Sequence, residues 1–310
     1  MRIRATVAAV SGALALSAFV APGAHAAGSS DHRADIAKVQ EAARAASGRT
    51  AYTGSTGATT GVPYALDLSF SNVKVNNGKP IVVGTTNHVT APVTFSIKHG
   101  ASVDITADDF LLDVELYRGS YDEPVGILVG DDFPSCTITS ATTATCKSTI
   151  DIYPGDDELV NADATTWKAI GVAIALNGVD LTDENADLSK VGYIDQDALT
   201  TSKLQRYSKL TVNASPEPVK KGKTVTVTGK LSRANWEDHK YHGYTGQSVQ
   251  LQFRKKNSTT YTTVKTVKTN STGELKTTTT ATVDGYFRYS FVGTATTPAV
   301  KATGDYVDVR

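Results

Sequence analysis

The chain has 310 residues, of which 40% are hydrophobic and 20% are charged, and its 31 Lys and Arg balance its 31 Asp and Glu. This composition excludes a wholly disordered chain, and the length suffices for two domains of ordinary size. The neutral total conceals two halves of opposite charge. Residues 62–205 carry eight Lys/Arg against 21 Asp/Glu, a net charge of −13, and residues 206–310 carry 17 against seven, a net charge of +10.

The N-terminus has the features of an export signal. A short basic start precedes an apolar stretch, and Ala24-His25-Ala26 has the small-x-small form that signal peptidase cleaves. We therefore expect residues 1–26 to be a signal peptide and the mature protein, beginning at Ala27, to be secreted. No later run approaches the roughly 18 apolar residues that a membrane span requires.

Residues 27–61 differ in amino-acid composition from the rest of the chain. They are rich in Ala, Gly, Thr and Ser, with few apolar positions on any helical face. Short helices depend on packing for their stability. We expect a flexible tether with a marginal helix.

From residue 62 onward, apolar and polar residues alternate with the period of two that is typical of strands. Such strands are expected to have one face in the core and one in solvent. The apolar sets of the acidic half are Val93, Phe95 and Ile97; Leu112, Val114 and Leu116; and Ile150 and Ile152. The run from Trp167 to Leu176 is apolar throughout and predicts a central strand.

The only cysteines, Cys136 and Cys146, flank a nine-residue segment that is symmetric about its centre. In an exported chain a close pair is most simply interpreted as one disulfide. The symmetry predicts that the two sulfurs face each other across a hairpin.

The basic half repeats the strand pattern, with about seven strands in 100 residues separated by turn residues. This spacing is typical of an immunoglobulin-like sandwich, and a β-barrel is the alternative fold. We predict an all-β fold, with an acidic β-sandwich domain over 62–205 and a basic immunoglobulin-like sandwich over 206–310. The inward-facing sets of the basic half are Val225, Val227 and Leu231; Val249, Leu251 and Phe253; and Phe287, Tyr289 and Phe291.

Three segments of the basic half, Ser215–Gly229, Val249–Arg254 and Asp284–Tyr289, resemble the immunoglobulin-like C-terminal domain of secreted actinobacterial proteins of unknown function. The segment Val75–Gly84 is similar to the first domain of the same group, some members of which are described as calcium-binding. The resemblance implies the sandwich fold and brings no catalytic residues.

Clusters of acidic residues in the acidic half are candidate calcium sites, because calcium takes six to eight oxygen ligands from carboxylates, amides and carbonyls. Solvated acidic turns are the alternative. The candidate ligands are Asp180, Asp183, Glu184, Asp187, Asp156 and Asp157. No cofactor is required by the sequence, and calcium is the one ion that it favours.

Two basic runs in the other half are candidate anion-binding segments. Lysines that keep strand edges from aggregating are the alternative. The candidate residues are Lys220, Lys221, Lys223, Arg254, Lys255 and Lys256. No aromatic residues interleave with these runs, which disfavours nucleic acid as a partner.

The segment from Asn235 to Tyr244 is rich in aromatic residues and histidines and lies between two predicted strands. Its side chains either bind a ligand such as a sugar ring or fold over the end of the sandwich and close its core. The candidate ligand-binding residues are Trp236, His239, Tyr241, His242 and Tyr244.

No pattern of residues in the chain marks a catalytic site. We predict a secreted, non-enzymatic interaction or structural protein, with calcium held by the acidic domain. The alternatives are a carbohydrate-binding or cell-wall-binding module and a secreted hydrolase that uses carboxylates of the acidic domain. The expected partners are an extracellular protein or cell-wall polymer, and contact between acidic and basic domains within or between chains.

Overall fold

The computed structural model describes residues 36–44, 61–183 and 185–310. The predicted signal peptide and its cleavage site lie outside these residues. Within these residues one α-helix, α1, occupies 36–44, and short 3-10 helices occupy Asn76–Gly78, Pro154–Asp156, Asn161–Asp163 and Leu188–Lys190. The strands are β1 Tyr64–Ala65, β2 Leu68–Val75, β3 Ile81–Val83, β4 Val89–His99, β5 Phe110–Gly119, β6 Pro124–Leu128, β7 Ser135–Ser140, β8 Thr143–Ile152, β9 Thr166–Ala175, β10 Gly192–Arg206, β11 Ser208–Leu210, β12 Asn213–Ser215, β13 Thr224–Asn235, β14 Lys240–Gly243, β15 Ser248–Lys255, β16 Thr262–Lys268, β17 Glu274–Thr280, β18 Gly285–Phe291, β19 Val300–Lys301 and β20 Asp305–Val307. Within the described residues, no helix is long and apolar enough to cross a membrane.

The chain forms two compact units, neither of which is a single stretch of sequence. Of the described residues, unit 1 contains those up to Pro80, those of His88–Ile152 and those of Thr166–Ser202. Unit 2 contains Ile81–Asn87, Tyr153–Thr165 and Lys203–Arg310. The two short segments of unit 2 fall inside the predicted acidic domain, and the domain boundary at 205 stays a prediction.

Unit 1 is a sandwich of two sheets. One has the strand order β2-β4-β8-β7, and the other contains β1-β10-β9-β5-β6. Gly171 of β9 lies against the ring of Phe70 in β2, so the two sheets meet face to face here. The inward sets of β4 and β8 are buried as predicted, and β9 is a central strand as predicted.

The second face of β5 and β9 is also covered, and this corrects the expectation of one solvent-facing side. Ile36 and Val39 of α1 are buried in a cluster with Tyr117, Val172 and other residues of unit 1. As a result Asp113 and Glu115, which the alternation places in solvent, are buried. Residues 36–44 therefore form part of the core of unit 1, whereas the sequence predicts a tether with a marginal helix.

The predicted disulfide is confirmed. Cys136 of β7 and Cys146 of β8 are paired directly opposite each other in the antiparallel ladder, with their Cα atoms 4.1 Å apart. The bridge therefore closes the β7–β8 hairpin of unit 1.

Unit 2 contains a sandwich of antiparallel strands, in which β12-β13-β17 form one sheet and β16-β15-β18-β20 form the centre of the other. This arrangement corresponds to the A-B-E and C′-C-F-G sheets of immunoglobulin-like domains. The predicted inward residues of β13, β15 and β18 form one hydrophobic cluster between the sheets, with Phe253 partly buried against it. The prediction of an all-β fold with tandem immunoglobulin-like sandwiches is confirmed.

Candidate functional site

The outer face of the second sheet of unit 2 carries arginines and tyrosines side by side. Because side chains alternate along a strand, residues between the buried ones point outward. On β15 and β18 the antiparallel register pairs Gln252 with Arg288 and Arg254 with Tyr286. Tyr286 pairs in turn with Tyr306 of β20. The set Arg254, Lys256, Tyr261, Tyr286, Arg288 and Tyr306 is called the Arg–Tyr face below.

Each guanidinium group of this face lies over a tyrosine ring. Arg288 is 3.6 Å from the ring centroid of Tyr261, and Arg254 is 3.7 Å from that of Tyr286 and 5.4 Å from that of Tyr261. The rings of Tyr286 and Tyr306 are 5.1 Å apart. Cations are attracted to the negative faces of aromatic rings, so the tyrosines hold both arginines against the sheet.

Hydrogen bonds further fix the two arginines. The Nε–H of Arg288 donates to Oε1 of Gln252 at 2.9 Å. Nη1 of Arg254 donates to the carbonyl oxygen of Ser258 at 2.9 Å. Among the described residues, no carboxylate lies within ion-pair distance of either guanidinium group. Both arginines are therefore held in place by neutral groups, with their charge available to a ligand.

Lys256, in contrast, has an acidic partner. Its Nζ lies 3.7 Å from Oδ2 of Asp284. The same carboxylate accepts hydrogen bonds from the amide of Val309 and the hydroxyl of Tyr306. The Val309 amide is the main cause of a lowered pKa of Asp284, and Tyr306 and Lys256 add to it. Asp284 therefore stays ionised and secures one end of the Arg–Tyr face.

The structure places the predicted anion-binding residues in two separate parts of unit 2. Arg254 and Lys256 belong to the Arg–Tyr face, and Lys255 is exposed at the end of β15. The other three, Lys220, Lys221 and Lys223, are exposed in the turn before β13. The amide of Lys221 donates to the carbonyl of Arg310, so this turn lies beside the end of the chain that also contacts Asp284.

The Arg–Tyr face corrects the observation that no aromatic residues interleave with the basic runs. Aromatic residues do interleave with the basic ones, but they come from strands that are distant in sequence. The signal that could have found them is the outward phase of β18, in which Tyr286 and Arg288 alternate with buried residues. Only the register between β15, β18 and β20 shows that these side chains are neighbours.

Trp236 is fully buried, with a relative exposure of 0%. Its indole Nε1–H donates to the carbonyl of Gly84 at 2.8 Å, and its amide donates to Oδ1 of Asn161. Tyr244 is half-buried, packs edge-on against Phe291 and lies beneath the guanidinium of Arg233. Neither residue fits the sugar-stacking interpretation, because Trp236 has no exposed ring face and both instead pack within unit 2.

The other residues of this segment do not converge on one ligand. Nε2 of His242 lies 2.6 Å from Oδ2 of Asp238, and Nε2 of His239 lies 3.5 Å from Oδ1 of Asp157. The ring of Tyr241 lies under the ammonium group of Lys209, 3.6 Å away. Each side chain has its own neighbour, so the candidate ligand-binding set is not brought together as one site.

The carboxylates of the predicted calcium site are engaged in their own turns. One oxygen each of Asp180, Asp183 and Asp187 accepts the amide hydrogen of the residue two positions later. Asp156 and Asp157 belong to unit 2, whereas the other three belong to unit 1. Glu184 lies outside the described residues. Calcium binding by these residues stays a prediction.

A different cluster in unit 1 was missed by sequence reasoning. His88, Asp131 and Asp151 place one potential ligand atom each within 4.8 Å of one another. Oδ1 of Asp151 accepts from Thr90 and lies 2.9 Å from Nε2 of His88. Its Oδ2 accepts from the hydroxyl of Thr149 and the amide of Asp131.

This network uses both oxygens of a nearly buried carboxylate. Burial raises the pKa of Asp151, but the hydrogen bonds from Thr149, Thr90, the Asp131 amide and His88 together outweigh burial and lower it. A metal ion would have to displace these donors. The cluster therefore acts as a hydrogen-bonded link between β4, β8 and the loop that contains Asp131.

No family model matches the chain, and no curated protein matches it. Solved structures that align with it include an I-band fragment of titin, at 9% identity over 79% of this chain and 66% of that chain, with a TM-score of 0.32. A putative membrane-anchored protein from Corynebacterium diphtheriae aligns at 12% identity over 78% of this chain and 53% of that chain, with a TM-score of 0.27. An adhesin from Yersinia pseudotuberculosis aligns at 13% identity over 78% of this chain and 60% of that chain, with a TM-score of 0.22. The chain thus spans about two thirds or less of their lengths. Scores this low carry no functional argument, and the fold follows from the strand order.

Proposed function

We propose that the chain is an exported, non-enzymatic interaction protein and that unit 2 binds an anionic macromolecule outside the cell. The observation that carries the proposal is the pair of arginines on the Arg–Tyr face, which are fixed by neutral groups and have no carboxylate partner among the described residues. A guanidinium group offers planar donors that match carboxylate, sulfate and phosphate oxygens. An immobilised arginine loses less conformational entropy when it binds an anion.

The charge of unit 2 supports the same function. Segment 206–310 has a net charge of +10, and addition of residues 153–165 and Lys203 brings four more Asp/Glu and one more Lys, which leaves +7. A net positive field raises the rate at which polyanions reach the surface. The acidic half of a second copy, with its net charge of −13 over residues 62–205, carries charge of the opposite sign.

Export is supported by the predicted signal peptide and by the disulfide, since disulfides persist in oxidising compartments. The sequence resemblance to secreted actinobacterial proteins is consistent with export. These observations favour an extracellular partner, such as a cell-wall polymer.

The proposal is tested by retention of the exported, purified chain on an immobilised polyanion, with a neutral polysaccharide resin as control. We expect retention on the polyanion at physiological salt and elution as salt rises. Passage through both resins would contradict the proposal. Turnover of generic glycan, ester or peptide substrates would contradict the non-enzymatic assignment.

Calcium binding by the acidic turns of unit 1 is a separate proposal, supported by the density of carboxylates between Asp180 and Asp187. A ligand at about 100 times its dissociation constant adds nearly 3 kcal/mol to the free energy of unfolding. We expect thermal unfolding in millimolar calcium to occur at a higher temperature than in EDTA, with magnesium as control. Equal midpoints in calcium and EDTA would reject this site.

A further inference from the structure

The cations of unit 2 form a track across the sheet. Lys256 and Arg254 both contact tyrosine rings of the Arg–Tyr face, and Arg288 follows on the neighbouring strand as the diagonal neighbour of Arg254. Lys301 of β19 is paired opposite Ser290, which follows Arg288 in the outward phase of β18 but is itself buried. Diagonal neighbours in a sheet are roughly 7–8 Å apart, so the strand positions of Arg254, Arg288 and Lys301 follow one another at similar steps.

The spacing of the two arginines is bounded by their shared ring. Their guanidinium carbons lie 5.4 Å and 3.6 Å from the centroid of Tyr261, so they are separated by no more than the sum of these distances, 9.0 Å. Two anionic groups at this spacing along one molecule can be bound together. A linear polymer with regularly repeated charges meets this condition more readily than a folded protein surface with irregular charges.

The tyrosine rings also discriminate between polyanions. Binding of single-stranded nucleic acid depends on aromatic rings against which bases stack. Here Arg288 lies over Tyr261, and Arg254 lies over Tyr286. Each arginine thus covers one face of a tyrosine ring, and the guanidinium nitrogens that are not bonded to Gln252, Lys256 or Ser258 are left as binding groups. The face therefore favours anionic groups over bases.

We propose that the Arg–Tyr face is a binding site for a linear anionic polysaccharide, in which Arg254 and Arg288 each bind one carboxylate, sulfate or phosphate group of the polymer. Tyr261 is a positioning residue, because it holds both guanidinium groups and does not itself contact the anion. This assignment rests on the proposed function of unit 2 and names its ligand class and its residues.

The test compares two double variants that remove equal charge. Arg254→Gln with Arg288→Gln removes the two arginines, and Lys220→Gln with Lys223→Gln removes two exposed lysines of the other basic segment. Binding of the purified chain is measured by fluorescence anisotropy with labelled polygalacturonate, which carries carboxylates, heparin, which carries sulfates and carboxylates, and polyglycerol phosphate, which carries phosphates. Comparison of heparin with polygalacturonate isolates the contribution of sulfate. Single-stranded DNA and neutral dextran are the comparison polymers.

We expect the arginine variant to bind the preferred polysaccharide at least about tenfold more weakly, because each arginine contributes charge-assisted hydrogen bonds. The lysine variant is expected to lose less than about threefold. Two variants that keep every charge, Tyr261→Leu and Arg254→Lys with Arg288→Lys, should each lose about threefold or more, because the first removes the ring and the second the planar donors. Circular dichroism and thermal unfolding verify that each variant is folded.

Three outcomes would overturn the assignment. Equal losses in the arginine and lysine double variants would reject the site and leave the proposed function standing. Tighter binding of DNA than of polygalacturonate, heparin and polyglycerol phosphate would reject the ligand class. Absence of binding to every polyanion by the unaltered chain at physiological salt would reject the site and the proposed function together.

Discussion

Substitution of Trp236 tests whether this residue supports the fold or binds a ligand. The indole is fully buried in unit 2 and donates a hydrogen bond to the carbonyl of Gly84. Truncation of a buried Trp to Ala costs about 3–5 kcal/mol, because it removes apolar burial and leaves a cavity. Trp236→Phe keeps most of the apolar surface but leaves the Gly84 carbonyl without its donor, which costs about 1–3 kcal/mol.

The assay is urea unfolding of the purified chain, monitored by far-ultraviolet circular dichroism and fitted for the transition of unit 2. Val292→Ala is the matched control, since Val292 is 68% exposed and its truncation should change the free energy of unfolding by less than about 0.5 kcal/mol. Retention on neutral polysaccharide should be the same for Trp236→Phe as for the unaltered chain. A cost below about 1 kcal/mol for Trp236→Ala, together with lost polysaccharide retention, would refute the packing role and restore the sugar-binding interpretation.

Three further predictions concern unit 1. Val39→Asp should lower the free energy of unfolding of unit 1 by at least about 2 kcal/mol, because a carboxylate would be buried in the core. Ala37→Asp, on the exposed side of α1, should not lower it by this amount. Equal effects of the two substitutions in urea unfolding would contradict the packing of the helix. Replacement of both cysteines, Cys136→Ser with Cys146→Ser, should lower the free energy of unfolding by about 2–3 kcal/mol, because the unfolded chain gains entropy. An unchanged urea midpoint would contradict a stabilising role of the disulfide. The lowered pKa of Asp151 means that its contribution to stability is present above the ordinary pKa of Asp and is lost as pH falls through the lowered folded value. Asp151→Asn should therefore destabilise the chain at pH 7 and reduce the acid dependence of unfolding, whereas Asp132→Asn, the exposed control, should leave the pH profile unchanged.

Local patterns were sufficient to predict the strands and the disulfide. The alternation of β4, β13 and β18 reflects burial on one face, which adjacent residues encode directly. The cysteines are close in sequence, and their symmetric spacing predicted the opposed pair in the β7–β8 hairpin.

Coverage of a sheet by a distant segment was not predictable in this way. Asp113 and Glu115 alternate with apolar residues as solvent-facing residues do, yet they are buried. The residues that cover this side of unit 1 include Ile36 and Val39, more than 70 positions earlier in the chain. Composition alone describes that segment as a weak helix, because its stability comes from packing and not from propensity.

The candidate site illustrates the same limit. The basic run at Arg254 was apparent in the sequence, but the tyrosines that hold its side chain lie on β18 and near the start of β16. Register between strands decides which outward residues meet, and one sequence does not determine register across distant strands. The acidic turns show the reverse case. Their carboxylates are close together in sequence, but in the structure they accept hydrogen bonds from backbone amides of their own turns.

The most direct test of the account is equilibrium binding of the purified chain to labelled polygalacturonate, heparin and polyglycerol phosphate, with dextran as the neutral control. Salt is varied between about 50 and 300 mM, the range over which exposed charges become strongly screened. The account predicts binding to at least one polyanion that weakens steeply with salt, and no binding to dextran. Salt-independent binding to dextran, or no binding to any polymer at the lowest salt, would contradict it.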